Sequence, residues 1–282
     1  MVRIGTVWDG AVEAARTRAS DLLPIAAATI FLPAVLQAAI AAYLPARDDP
    51  GRAVLLSLAV LALGLLSLWG GLVVLAMLAR GGTAPTAART LATARLPAAI
   101  GVTLVTILAA SLLFLPVFGA LAASGVKMAG MGATSGPGTS MGSGLGVFVG
   151  LYSLVAVGLL VWLAARLLPI SPVILHERLG LRAIPRTFRM TRGMGWRLVG
   201  ALLLFGVVVG IASSAAQLVF GLLFRLLLGA SASATAVFLA GVASAAVSTL
   251  FSVLAYAFLA RLYAALSGQD LAGVFEDARA PA

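Results

Sequence analysis

Cysteine is absent, histidine occurs once, and between Pro50 and Gln269 the one acidic residue is Glu177. The first absence excludes a disulfide framework and thiolate metal sites. The other two remove the parts of most hydrolases: between Pro50 and Gln269 no carboxylate pair and no histidine–carboxylate metal cluster can be assembled, and a serine nucleophile would have His176 as its only imidazole base. Neither an enzyme nor a bound cofactor or metal is expected. Charge is scarce, at 10% of residues, and lopsided, with 19 basic against 9 acidic side chains. The resulting net charge of +10 would suggest nucleic acid in a soluble domain. Here the arginines lie at the ends of apolar runs, so no nucleic-acid partner is expected.

Apolar residues supply what charge does not. They make up 62% of the chain, with a mean hydropathy of +1.11, and 282 residues so composed cannot cover a soluble surface with polar groups. Six apolar segments, at 22–44, 53–79, 98–123, 147–168, 198–224 and 236–264, each reach the twenty or so residues needed to cross about 30 Å of hydrocarbon. The expected fold is therefore an all-α integral membrane protein with six transmembrane helices, kinked at Pro33 and Pro116. Residues 1–21 do not read as a signal peptide, because Asp9, Glu13 and Asp21 lie among Arg3, Arg16 and Arg18. Within them Trp8, Ala11, Val12, Ala15 and Ala19 recur at helical spacing, which predicts an amphipathic interfacial helix over 7–20.

The basic residues fix an expected orientation. Fifteen lie in the N-terminal piece, in 80–97, in 165–197 and at the C-terminal end, while the other side holds only Arg47, Arg52, Lys127 and Arg225. By the positive-inside bias both termini are expected to be cytoplasmic. On the opposite side, 124–146 is rich in Gly, Ser and Met around Gly136-Pro137-Gly138 and reads as a flexible loop. Its Met128, Met131 and Met141 suit Cu(I) chemically but are better read as incidental.

An internal repeat is also visible. Ala14-Ala15-Arg16-Thr17, five residues, then Leu23-Pro24 recurs as Ala87-Ala88-Arg89-Thr90, five residues, then Leu96-Pro97, and a degenerate third copy begins at Ile184-Pro185-Arg186-Thr187. The chain thus reads as one polytopic domain of three tandem units. Each is a basic cytoplasmic segment, at 7–20, 84–96 and 181–193, feeding a transmembrane hairpin.

Seven arginines crowd residues 166–197. Arg178, Arg182, Arg186, Arg189 and Arg192 step by four, four, three and three along one side of a helix, with Leu181, Ile184, Phe188 and Thr191 on another, and Pro185 as a natural restart. Together with Arg197 they form a candidate site for anionic lipid headgroups; the plainer reading gives them only an orienting role. Glu177, next to His176 and just beyond Pro169 and Pro172, is expected to form an interfacial ion pair with Arg166. Small residues four apart, Gly206, Gly210 and Ser214 in one span and Ser244, Ser248 and Ser252 in the next, predict close helix packing rather than a hydroxyl-lined conduit.

The stretch Pro172-Val-Ile-Leu-His-Glu177-Arg-Leu-Gly180, followed by Ala183-Ile-Pro-Arg186-Thr-Phe188-Arg-Met190-Thr191-Arg192-Gly193-Met-Gly-Trp196-Arg197, resembles the membrane domain of glycerophosphoryl diester phosphodiesterases. In that family a proline, an apolar run and Glu-x-x-Gly precede a basic string that ends in Trp-Arg and opens the next span. Pro185, Thr187 and Met190 depart from the pattern. The match covers about a tenth of the chain. It implies a multi-pass bacterial membrane domain often found without an enzyme, and the catalytic barrel of the family has no counterpart here. The function expected is non-enzymatic and envelope- or lipid-linked, with membrane lipids as partners. The alternative is a transporter or channel for a small or lipidic solute. A lipid-sized lateral groove beside the arginines would favour the first, a water-accessible path lined by Ser and Thr the second.

Overall fold

A computed structural model describes residues 4–44, 50–79, 83–123, 143–177, 183–191, 195–229 and 233–267. Among these residues every element is helical. In chain order they are α1 (Ile4–Thr17), α2 (Ala19–Ala26), a π-turn (Ala27–Phe31), α3 (Leu32–Tyr43), α4 (Pro50–Leu78), α5 (Pro85–Ala123), α6 (Ser143–Leu167), α7 (Ile170–Glu177), α8 (Ala183–Met190), α9 (Gly195–Leu228) and α10 (Ser233–Leu266). Six stretches are long and apolar enough to cross a membrane: Ala19–Tyr43, Pro50–Leu78, Pro85–Ala123, Gly144–Leu167, Gly195–Leu228 and Ser233–Leu266. The expected all-α fold with six spans is thus observed.

The core is concentrated at the basic end. Every residue of α4 from Gly70 to Leu78 is buried, whereas Val54, Leu55, Leu58 and Leu61 in its first half are exposed. Around the buried half gather α2, the π-turn, the start of α5, α7 and the last turns of α10. Toward the other end the spans present bare leucine and valine, up to Leu226 at 83% exposure. In water that surface would collapse; in lipid it is the solvated face.

Two glycines allow the tight packing around α4. A Cβ at Gly70 would overlap the side chain of Thr29, and one at Gly71 the ring of Tyr256. Thr29 stands in the π-turn, and its hydroxyl donates to the Ile25 carbonyl at 2.7 Å. The expected disturbance at Pro33 takes this form. The N–H of Leu32 reaches back five residues to the Ala27 carbonyl, and the widened turn precedes a proline that cannot donate to the carbonyl four residues before it. By contrast α5 runs unbroken through Pro97 and Pro116. The basic segment expected at 84–96 is therefore the first part of a 39-residue helix rather than a separate one.

Helix α1 differs from the expected interfacial helix in being docked. Val7, Ala11 and Ala14 are buried against the bundle, and the ring of Trp8 lies 6.1 Å from both Phe205 and Phe258. The threonine shared by the three repeat copies bonds back to the residue four before it in each case. These bonds run from Thr17 to Glu13, Thr90 to Thr86 and Thr187 to Ala183, at 3.0, 3.1 and 3.1 Å.

A lateral groove at the basic end

The fourth span does not simply end at Pro169 and Pro172. After Leu167 the chain turns and restarts as α7, with Pro172 near its beginning, where a missing N–H costs nothing. Val173, Ile174 and Leu175 of this short helix are buried. Val173 and Ile174 join a cluster with Val102 of α5, Ala183 of α8 and Tyr263 of α10. Within the arginine-rich stretch 166–197, α7 is thus an apolar wedge, and α8 adds exposed arginines. On α8 and in the turn that follows it, Ala183, Thr187 and Thr191 face inward, four residues apart, while Arg186 and Arg189 are exposed. The hydroxyls of Thr187 and Thr191 are satisfied by backbone carbonyls of the same helix, which makes their complete burial tolerable.

Arg166 binds α8 to the spans. Its guanidinium carbon lies 4.9 Å from the ring centre of Trp162 and 5.8 Å from that of Phe188, so a residue of α6 clasps α8 through cation–π contact. At the start of α9, Gly195 leaves room for it: a Cβ there would come within 3.2 Å of the Arg166 Nε. The ion pair expected between Arg166 and Glu177 lies outside the described residues on its acidic side, as do Arg178, Arg182 and Arg192 from the expected lipid site, and the side chain of His176. The methionine-bearing loop at 124–142 lies outside them too.

Of the three expected lipid-site residues that are described, Arg186, Arg189 and Arg197, it is Arg197 that lines a groove. A groove of about 650 Å³ runs between α1, α9 and α10, with Phe205, Val208, Phe251 and Phe258 among its walls and Trp8, Asp9 and Arg197 among its lining. Gly5 on α1, Gly200 and Ala201 on α9 and Ala255 on α10 also line it, and their small side chains leave the space open. Its polar groups come from α1 and the first turn of α9, beside Trp196, which is 79% exposed. Tryptophan in that position is characteristic of the membrane–water boundary. The groove therefore pairs a hydrocarbon-lined wall with a guanidinium and a carboxylate. Its volume falls within the few hundred to about a thousand Å³ common for small-molecule sites.

Hydrophobic periodicity did not reveal the groove. Phe205, Phe251 and Phe258 lie within apolar spans like their neighbours, and α1 reads as an amphipathic interfacial helix. The small-residue faces also need correcting. A Cβ at Gly206 or Gly210 would meet nothing within 4 Å, so that side of α9 faces lipid, and the close approaches occur at Gly70, Gly71 and Gly241 instead. Of the serines, Ser248 does meet α9, through Ser213 at 3.1 Å rather than Ser214.

Six membrane-length helices, a core concentrated at one end and bare apolar flanks define an all-α multi-pass membrane protein. No protein-family model, curated protein or solved structure matches the chain.

Proposed function

We propose that this chain is a non-enzymatic protein of a bacterial inner membrane, with both termini cytoplasmic, that holds an anionic phospholipid in the groove between α1, α9 and α10. The observation that carries this reading is the groove itself. A cleft with phenylalanine walls at membrane depth cannot stay empty or wet; the molecule at hand to fill it is a lipid chain, and Arg197 gives its mouth a group that favours a negative headgroup. Arg186 and Arg189, exposed on α8, add positive charge at the same end. The near absence of histidine and of carboxylates within the spans supports a binding rather than a catalytic role. The likeness of residues 172–197 to the membrane domain of glycerophosphoryl diester phosphodiesterases supports an envelope- or lipid-linked setting.

Passage of a solute through the bundle finds less support. Several of the hydroxyls that would line a path are engaged elsewhere: Ser213 and Ser248 bond to each other, while Ser252 and Thr249 donate to carbonyls of their own helix at 2.8 Å. Native mass spectrometry of the detergent-solubilised protein, titrated with phosphatidylglycerol and phosphatidylcholine, tests the proposal. Ala201→Trp, which fills the groove, should lose the tightest-bound lipid of either kind. Arg197→Gln should retain binding but lose the preference for phosphatidylglycerol. Wild-type protein that holds neither lipid, or an Ala201→Trp variant that binds as wild type does, would refute the reading.

A further inference from the structure

A second cavity at the basic end differs from the groove in size and polarity. It is a notch of about 120 Å³ whose lining includes Thr17 and Arg18 at the α1–α2 junction, Leu78 and Ala79 at the end of α4, and Arg261 and Ala264 of α10. Two guanidinium groups from separate elements thus line one small space, and no carboxylate is among its lining residues. Arg18 is fixed in place, its Nη1 donating to the Met77 carbonyl at 2.6 Å. Arg261 is not: its Nε is buried and meets no hydrogen-bond partner among the described residues.

That arrangement is unfavourable as it stands. Two like charges repel, and a buried N–H without an acceptor forfeits the hydrogen bond it had in water. The carbonyl end of α4 offsets at most about half a charge, and it already takes the Arg18 bond. What would relieve both defects is an anion presenting several oxygens within a short radius. A notch of about 120 Å³ has room for a compact group of several oxygens. That is the size of a tetrahedral oxyanion, and guanidinium is the side chain best matched to phosphate. We propose that the Arg18–Arg261 notch binds a phosphate group, carried by a phospholipid headgroup or as free phosphate. Neither arginine lines the groove between α1, α9 and α10, so this inference stands apart from that reading.

The test is thermal unfolding of the intact protein in mild detergent, in two arms. One compares inorganic phosphate with chloride at equal ionic strength; the other, run in the Arg197→Gln background whose groove has lost its headgroup preference, compares added phosphatidylglycerol with phosphatidylcholine. A ligand near ten times its dissociation constant should raise Tm by roughly 3 °C. A response to phosphate identifies a free anion, and a response to phosphatidylglycerol alone a headgroup. In either case Arg261→Gln should abolish most of the shift while Arg197→Gln keeps the phosphate response. Should Arg261→Gln fail to fold, Ala79→Leu, which narrows the notch and leaves both arginines, takes its place with the same expectation. Absence of a shift in both arms, or an equal shift with the notch variants, overturns the proposal.

Discussion

Replacing Gly70 by alanine tests the packing of the basic end most directly. In a helix with free space around it, glycine to alanine gains up to about 1 kcal/mol from backbone entropy. At Gly70 the added methyl falls on the side chain of Thr29, with the Thr29 carbonyl oxygen 3.3 Å away as well. Thr29 cannot rotate aside cheaply. It is β-branched, 7% exposed, and its hydroxyl is committed to the Ile25 carbonyl at 2.7 Å. The backbone of the π-turn must move instead, and overpacking of this kind costs about 1–3 kcal/mol. Because the clash falls at the upper end of that range, Gly70→Ala should be destabilised by about 1–2 kcal/mol net, a fall in Tm of roughly 3–6 °C. Gly64→Ala in the same helix is the control: a Cβ there meets nothing within 4 Å, so its Tm should stay level or rise. Thr29→Gly combined with Gly70→Ala removes the obstructing side chain and should recover part of the loss. Unfolding followed by tryptophan fluorescence in detergent reads all three. A Gly70→Ala protein as stable as Gly64→Ala would mean that the π-turn does not rest against α4 as described.

Arg166→Gln and Phe188→Leu should each lower stability, and a double-mutant cycle should return a coupling of about 0.5–1 kcal/mol between them; a coupling of zero would remove the clasp between α6 and α8. Glu177→Gln should lower thermal stability, by about 3 kcal/mol or more if its expected pairing with an arginine is buried and under about 1 kcal/mol if it is exposed to water, with partial recovery when Arg166 is neutralised as well. Wild-type stability with loss of a cellular phenotype would instead assign Glu177 to a functional site. Reporter fusions at Gly10, Ala87 and Leu181 should report cytoplasm and those at Asp49, Gly136 and Ser231 the opposite side; an external signal at Leu181 would reverse the proposed orientation.

The six spans were legible because bilayer thickness acts directly on composition: a run of about twenty apolar residues has few other uses. Their ends were less legible. The third span was expected to start near 98, yet α5 begins at Pro85, because a proline in mid-helix costs its partner carbonyl but does not stop a helix held by its neighbours. The inner and outer faces of the spans were not legible at all. In water, apolar residues mark the core; in lipid, both the buried half of α4 and its exposed half read as leucine, valine and alanine, and hydropathy cannot tell them apart. What separates them is shape. Gly70 and Gly71 are buried by Thr29 and Tyr256, while Gly206 and Gly210 share the same residue type on a face that meets nothing. The groove follows the same logic. Its lining differs from ordinary lipid-facing surface in that α1, packed on α10, brings Trp8 and Asp9 to a cleft shared with α9. Among the described arginines expected to mark a lipid site, Arg197 is therefore set apart not by its place in a basic run but by the helix that shares its groove.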